Sequence, residues 1–400
     1  MTADYKLDRF CFYIFIVDIF FLPLFPYFSV SLSLPFMLYW FLKRGCRVKV
    51  FREYKYFPLI VVLMFISTLI SVVYPVETSY GTTFITTFKR LMQFVTSFWY
   101  FFFFKYYFET YRVSINKVYF YSIIYIVIFA FFYFLNSEAY ASIKILVNPV
   151  DNHTRRALGH EIIYRFNFLW ADPNNVAYAV GTLLLTFLSE EQEKYFSKML
   201  AVVLVIFILF CTMSIGGLSS MIFSLILFFL FKKKKQIKNS DFYKISISTI
   251  ALIFLIIYFY PIISDFFNSD VIDNLLSRVD YYDGSDTSGG RGKDFIKSLS
   301  YLNPMFLSVG CGIEGFVTEI GHMYILFMYG LPVYIYFIYI LFWRKRSICW
   351  RRLIPLIPMF AGFTMNIAII DQKYLLILLF TSAYLSISTS NNQIVNEKSI

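Results

Sequence analysis

Residues 199–235 read MLAVVLVIFILFCTMSIGGLSSMIFSLILFFLFKKKK, and this stretch decides the fold class. No charged side chain occurs from Met199 to Phe231, and four lysines, Lys232 to Lys235, close the run. Apolar runs of about 17–25 residues cross a bilayer as helices. The runs 199–213 and 216–231, parted by Ser214-Ile215 ahead of Gly216-Gly217, read as consecutive spans joined by a tight outer turn. Lys194 and Lys198 lie before the first run and the lysine cluster after the second, so both basic ends fall on the cytoplasmic side.

Working outward, the rest of the chain has the same character. It is 59% hydrophobic and 15% charged over 400 residues. Soluble domains average about 25% charged residues, so the composition excludes an ordinary soluble enzyme and a disordered chain. It also excludes a nucleic-acid binder, despite a net charge of +11. Apolar runs near 10–27, 29–42, 57–74, 83–104, 118–135, 174–189, 199–213, 216–231, 243–264, 322–343, 353–370 and 373–389 predict an all-α, polytopic membrane protein. It has 11–12 transmembrane helices in one membrane-embedded domain over 1–400. The first run is read as a retained span, since no cleavable leader precedes it. Five scattered cysteines form no CxxC pair, which predicts neither a disulfide framework nor a zinc site.

With both termini cytoplasmic, 25 of the 36 basic residues fall in cytoplasmic segments, which is the positive-inside bias. Two long segments then lie outside, 136–171 and 265–321, and long loops in compact proteins are usually functional. The remaining basic residues lie outside or near the outer ends of spans: Lys89, Arg90, Lys144, Arg155, Arg156, Arg165, Arg278, Arg291, Lys293, Lys297 and Lys373. Arginine suits phosphate because its planar fork gives bidentate hydrogen bonds. Ion pairing within the loops is the competing reading. All three histidines, His153, His160 and His322, also fall outside. Asp18 is a carboxylate inside the first span, which by default points to function; a place near the bundle interior or at a kink around Pro23 is the alternative.

The segment Arg165–Ala177 reads RFNFLWADPNNVA. Asp172 followed by Pro173 predicts a helix start, with an acceptor at the cap and proline in the first turn. A helix N-terminus at the membrane surface offers amide donors to an anion, and Arg165 lies seven residues upstream. Further on come Ser288-Gly289-Gly290-Arg291, Pro304, Gly310-Cys311-Gly312, and Gly321-His322 followed by Tyr324 and Gly330-Leu331.

In order, and spread over residues 150–345, these motifs resemble the bacterial O-antigen polymerases of the O-antigen ligase superfamily. One departure is Ser214–Ser220, where related proteins carry an arginine and this chain does not. The resemblance implies a GT-C-like glycosyltransferase of the bacterial inner membrane, with its active site at the periplasmic face. Such an enzyme transfers a growing glycan from undecaprenyl diphosphate to the next lipid-linked repeat unit. It uses no cofactor and no metal, and a chain-length regulator protein is an expected partner alongside membrane lipids. Charge builds on the leaving diphosphate, so preorganised cations stabilise the transition state. Arg165, Arg291 and His322 are the expected catalytic residues. Arg156, Asp172, Asn174, Arg278 and Lys293 are the expected diphosphate and glycan contacts. His322, Glu314 and Glu319 are the candidate proton acceptors. The alternatives are an O-antigen ligase and a lipid-linked oligosaccharide flippase; a flippase needs charges within the spans rather than arginines in outside loops.

Reporter fusions check the topology. A periplasm-dependent phosphatase should be active when fused within 136–171 or at Gly284, and inactive when fused after Lys235.

Overall fold

The computed structural model describes residues 3–25, 30–44, 53–73, 84–148, 151–162, 164–170, 172–189, 195–230, 299, 304–311, 320–342, 353–365 and 371–397. The described residues are helical throughout, with no strand beyond an isolated bridge between Phe25 and Val30. The helices are α1 (Ala3–Phe21), α2 (Leu34–Lys43), α3 (Phe57–Val73), α4 (Phe84–Tyr111), α5 (Asn116–Leu135), α6 (Ser137–Val147) and α7 (Asn152–Leu158). They continue with α8 (Pro173–Ser189), α9 (Tyr195–Thr212), α10 (Ile215–Leu230), α11 (Pro304–Ser308), α12 (Gly321–Phe342), α13 (Ile357–Met365) and α14 (Gln372–Glu397).

By length and composition, α5, α9 and α12 can each cross a membrane, and α3, α10 and 354–364 are shorter apolar helices. Their outer faces carry exposed apolar side chains such as Ile128, Phe131, Val203, Ile206 and Phe223. A helix that turns such a stripe outward suits a lipid surface.

Two helices are buried on all sides. In α8, every residue from Asn175 to Phe187 is buried, and in α14 the same holds from Gln372 to Leu385. Helices apolar all round belong at the centre of a bundle. Around them, α4 packs along α14, while α5, α9, α10 and α13 surround α8.

The first turn of α14 is bonded to its surroundings residue by residue. The Asp371 carboxylate accepts hydrogen bonds from its own Lys373 amide (3.1 Å) and from the Asn175 side chain of α8. Gln372 accepts from the Ser31 amide (2.8 Å) and donates to Thr96 Oγ1 of α4 (3.0 Å). Lys373 donates to the carbonyls of Asp18 and Leu22 at the end of α1 and lies 3.5 Å from the Asp18 carboxylate. Tyr374 donates to the Met359 carbonyl in α13 (2.7 Å). The Asp18 carboxylate also accepts from the Ser31 hydroxyl and from the Ser33 amide (2.7 Å). Both charges are buried, Asp18 and Lys373 being 1% and 2% exposed. The ammonium thus also meets carbonyls at the C-terminus of α1, the end of the helix dipole that favours a cation.

Several predicted spans take another form. The run 29–42 yields the ten-residue α2, about 15 Å long by helix rise. The run 353–370 yields a 3-10 turn at Ile354–Leu356 and the nine-residue α13. Helix α4 runs past its predicted end, to Tyr111. The run 243–264 lies outside the described residues. The segment 136–171, read as a loop, folds into α6 and α7.

Helix α12 is broken. Gly330 has φ 81 and ψ 170, which is not helical. His322 near its start and Phe342 at its end both pack on Phe360 of α13, with ring centroids 4.6 and 5.0 Å away. Twenty helical residues would span about 30 Å if straight, so the two arms fold back on each other as a hairpin. A Cβ at Gly330 would stand 2.9 Å from the backbone of Ser308 and Val309; one at Gly310, itself at φ +82, would stand 2.6 Å from the backbone at Met328–Gly330. The two glycines therefore allow main chain to lie directly on main chain at the hairpin's turn.

Removing one partner of a buried ion pair costs about 3–5 kcal/mol because the other charge is stranded. Lys373→Met should accordingly lower the thermal midpoint of detergent-solubilised protein by a wide margin. Adding Asp18→Asn should recover part of that loss, and a double-mutant cycle measures the coupling.

Candidate functional site

Four chain segments meet where α8 begins: the irregular segment 164–170, the corner between α9 and α10, the first turn of α8, and the first turn of α14. The segment 164–170 is pinned first. The Phe166 amide donates to the Cys211 carbonyl (3.1 Å), and Tyr133 donates to the Tyr164 carbonyl (2.8 Å). That fixes Arg165 against the C-terminus of α9. Its Nε donates to the Thr212 carbonyl at 2.9 Å, and its second guanidinium nitrogen donates to Asn174 Oδ1 at 3.0 Å. A guanidinium at a helix C-terminus is favoured both by the unpaired carbonyls and by the dipole. Arg165 is 8% exposed.

The corner itself turns on Met213, at φ 48, a left-handed residue of the kind that ends helices. Ser214 then caps α10. Its hydroxyl accepts from the Gly217 amide (3.1 Å) and donates to Asn174 Oδ1 (2.8 Å). Asn174 therefore holds the guanidinium and the serine on one oxygen. The predicted start of α8 is present: Asp172 Oδ1 accepts from the Asn174 amide at 2.7 Å. The next residue, Asn175, carries the bond to Asp371 on α14.

A second polar group braces this region. Lys144 and Asp151 form a buried pair at 2.7 Å. Lys144 also donates to the Trp170 carbonyl (2.8 Å), and Asp151 also accepts from Thr154 and from the Asn167 side chain. Burial pulls Lys144 down to about 8 against the opposing pull of Asp151. His153 is held neutral at pH 7: burial, then the charge of Arg165, brings it down to about 4. Burial pushes Asp371 up to about 6, against its hydrogen bonds and the charge of Lys373.

The expected site residues divide accordingly. Arg165, Asp172 and Asn174 come together. Arg156 does not join them; it is exposed and pairs with Glu161 at 3.1 Å, the internal pairing weighed above. His322 stands one aromatic layer away. Its Nδ1 lies 3.1 Å from the Tyr334 hydroxyl, a second bond ties it to the Phe360 carbonyl, and Phe363 packs on both His322 and Tyr374. Arg291, Arg278, Lys293, Glu314 and Glu319 lie outside the described residues.

Sequence reading passed over Asn175, Ser214 and Asp371. Asp371 had a visible signal, an acidic residue directly before the last apolar run, as Asp172 stands before α8. Ser214 lies in the segment that departs from related proteins by lacking an arginine. The guanidinium that bonds Asn174 beside it comes instead from Arg165, far off in sequence. No family model matches the chain, and no curated protein matches it.

Ser214→Ala should lower stability by about 1 kcal/mol, the usual worth of a serine cap, read as a lower thermal midpoint in detergent.

Proposed function

We propose that this chain is a polyprenyl-diphosphate-dependent glycosyltransferase of the bacterial inner membrane, an O-antigen polymerase. It joins a growing glycan, carried on undecaprenyl diphosphate, to the next lipid-linked repeat unit at the periplasmic face. The observation that carries this reading is the buried Arg165, fixed by Thr212 and Asn174 beside the N-terminus of α8. A rigid cation beside a helix N-terminus is chemistry that suits a diphosphate. Taken with both termini cytoplasmic, the positive-inside bias assigns this end of α8 to the periplasmic side, in a GT-C-like arrangement in which the short helices α2 and α13 and the broken helix α12 leave fewer full crossings than hydropathy alone counts.

In this reading the acceptor hydroxyl attacks the anomeric carbon of the donor. A new C–O bond forms, the bond from that carbon to the phosphate oxygen breaks, and the polyprenyl diphosphate leaves. Arg165 meets the charge that builds on the leaving oxygens, and losing one such donor costs roughly 3–4 kcal/mol in comparable sites. Arg291, with Arg278 and Lys293, keeps its role as a further contact to the diphosphate. His322 sits behind Phe363, bonded to Tyr334 and apart from Arg165. A chain-length regulator is the expected protein partner.

The test is the lipopolysaccharide ladder of a strain lacking the gene. Loss of a polymerase leaves core capped with one repeat unit. Bare core with polymer on the carrier lipid identifies a ligase, and bare core with no polymer identifies a flippase; either overturns the reading. Complementation with Arg165→Ala should give no ladder, and Arg165→Lys should restore it poorly, since an ammonium cannot bridge Thr212 and Asn174 as a planar fork does.

A further inference from the structure

We propose that Asp371, at the start of α14, takes the proton from the attacking hydroxyl of the acceptor sugar. This rests on the transferase reading above, and it supplies the group that reading lacks. Asp371 and Arg165 are held by consecutive residues: Asn175 bonds the carboxylate and Asn174 bonds the guanidinium. Adjacent positions at the start of α8 thus anchor a cation, on Asn174, and a carboxylate, on Asn175. Glycosyl transfer from a diphosphate needs both, a cation for the leaving group and a base for the nucleophile. Part of the Asp371 surface stays open, whereas Asn175 and Gln372 on either side of it are closed.

The charged and titratable groups acting on Asp371 are Lys144 from α6 and Lys373 and Tyr374 from its own helix; Arg165 is held on the neighbouring Asn174. Two ammonium groups flank it, and burial still outweighs them, so its affinity for a proton lies near neutrality. A general base works best there, deprotonated at pH 7 yet basic enough to accept. His153, also near Arg165, is a weaker base, being held near 4. The proton passes from the acceptor O–H to the Asp371 carboxylate as the new C–O bond forms, and then to water.

The bland role of Asp371 is a helix cap, and the substitution Asp371→Asn separates the two. Asparagine caps as well as aspartate does but cannot take the proton. The purified full chain in liposomes would be supplied with lipid-linked repeat units extracted from a strain lacking the gene. The wild-type rate should fall about tenfold per pH unit below pH 6, because the carboxylate is protonated there. Asp371→Asn should be about 100-fold slower or worse at pH 7.5, with KM within about twofold, an unchanged thermal midpoint, and no such acid limb. Asp371→Ser, an equally good cap, should match it. If either variant keeps more than a tenth of the rate, or if the wild-type rate is flat between pH 5 and 7, Asp371 is not the base. If His153→Gln removes the acid limb instead, the proposal also falls. Wild-type protein that elongates nothing sinks the transferase reading itself, a separate outcome from a fully active Asp371→Asn.

Discussion

The rest of the fold is arranged around the buried first turn of α14. Successive side chains on a helix point about 100° apart, so four consecutive residues, Asp371 to Tyr374, reach in four directions. Each finds a partner on a different element: α8, the α1–α2 link with α4, the end of α1, and α13. In an apolar interior each unpaired polar group costs several kcal/mol, since no water can take its place. These bonds therefore set register and rotation for the central helix, while apolar packing below them, where Phe380 meets Phe20, Phe104 and Phe108, fills space.

The α12 hairpin is the second organising feature, and it depends on backbone rather than side chains. Cys311 N–H donates to the Phe327 carbonyl at 2.7 Å, and Ser67 donates to the Met328 carbonyl. Both bonds satisfy carbonyls that the break at Gly330 sets free. The hairpin carries His322 on one arm and Tyr334 on the other and hydrogen-bonds them together. The placement of the histidine is thus a property of the turn, not of a straight span.

At the candidate site, charged groups of opposite sign are held on neutral neighbours: Asn174 bonds the Arg165 guanidinium and Asn175 bonds the Asp371 carboxylate. Lys144 and Asp151, in contrast, pair directly, and their further bonds to Trp170 and Asn167 brace the segment that carries Arg165. Asp371 as a residue stays partly exposed.

The sequence by itself determined the helical class: long uncharged runs ended by basic clusters suit helices, whose backbone groups are satisfied within their own segment, and the described residues form apolar helices of the kind that can cross a membrane. It also determined the start of α8 at Asp172-Pro173, because a cap is a local event decided within four residues. The tertiary structure decided what depends on contacts distant in the chain. That Lys373, read as a residue in a short turn, neutralises Asp18 across more than 350 positions is invisible to any local pattern. So is the meeting of Arg165, Ser214 and Asn174 on one oxygen. Hydropathy likewise reads residues 321–342 as one span, because Gly330 changes the direction of the chain without changing its polarity. Hydropathy records which solvent a segment prefers; where a buried charge finds its partner is decided by packing.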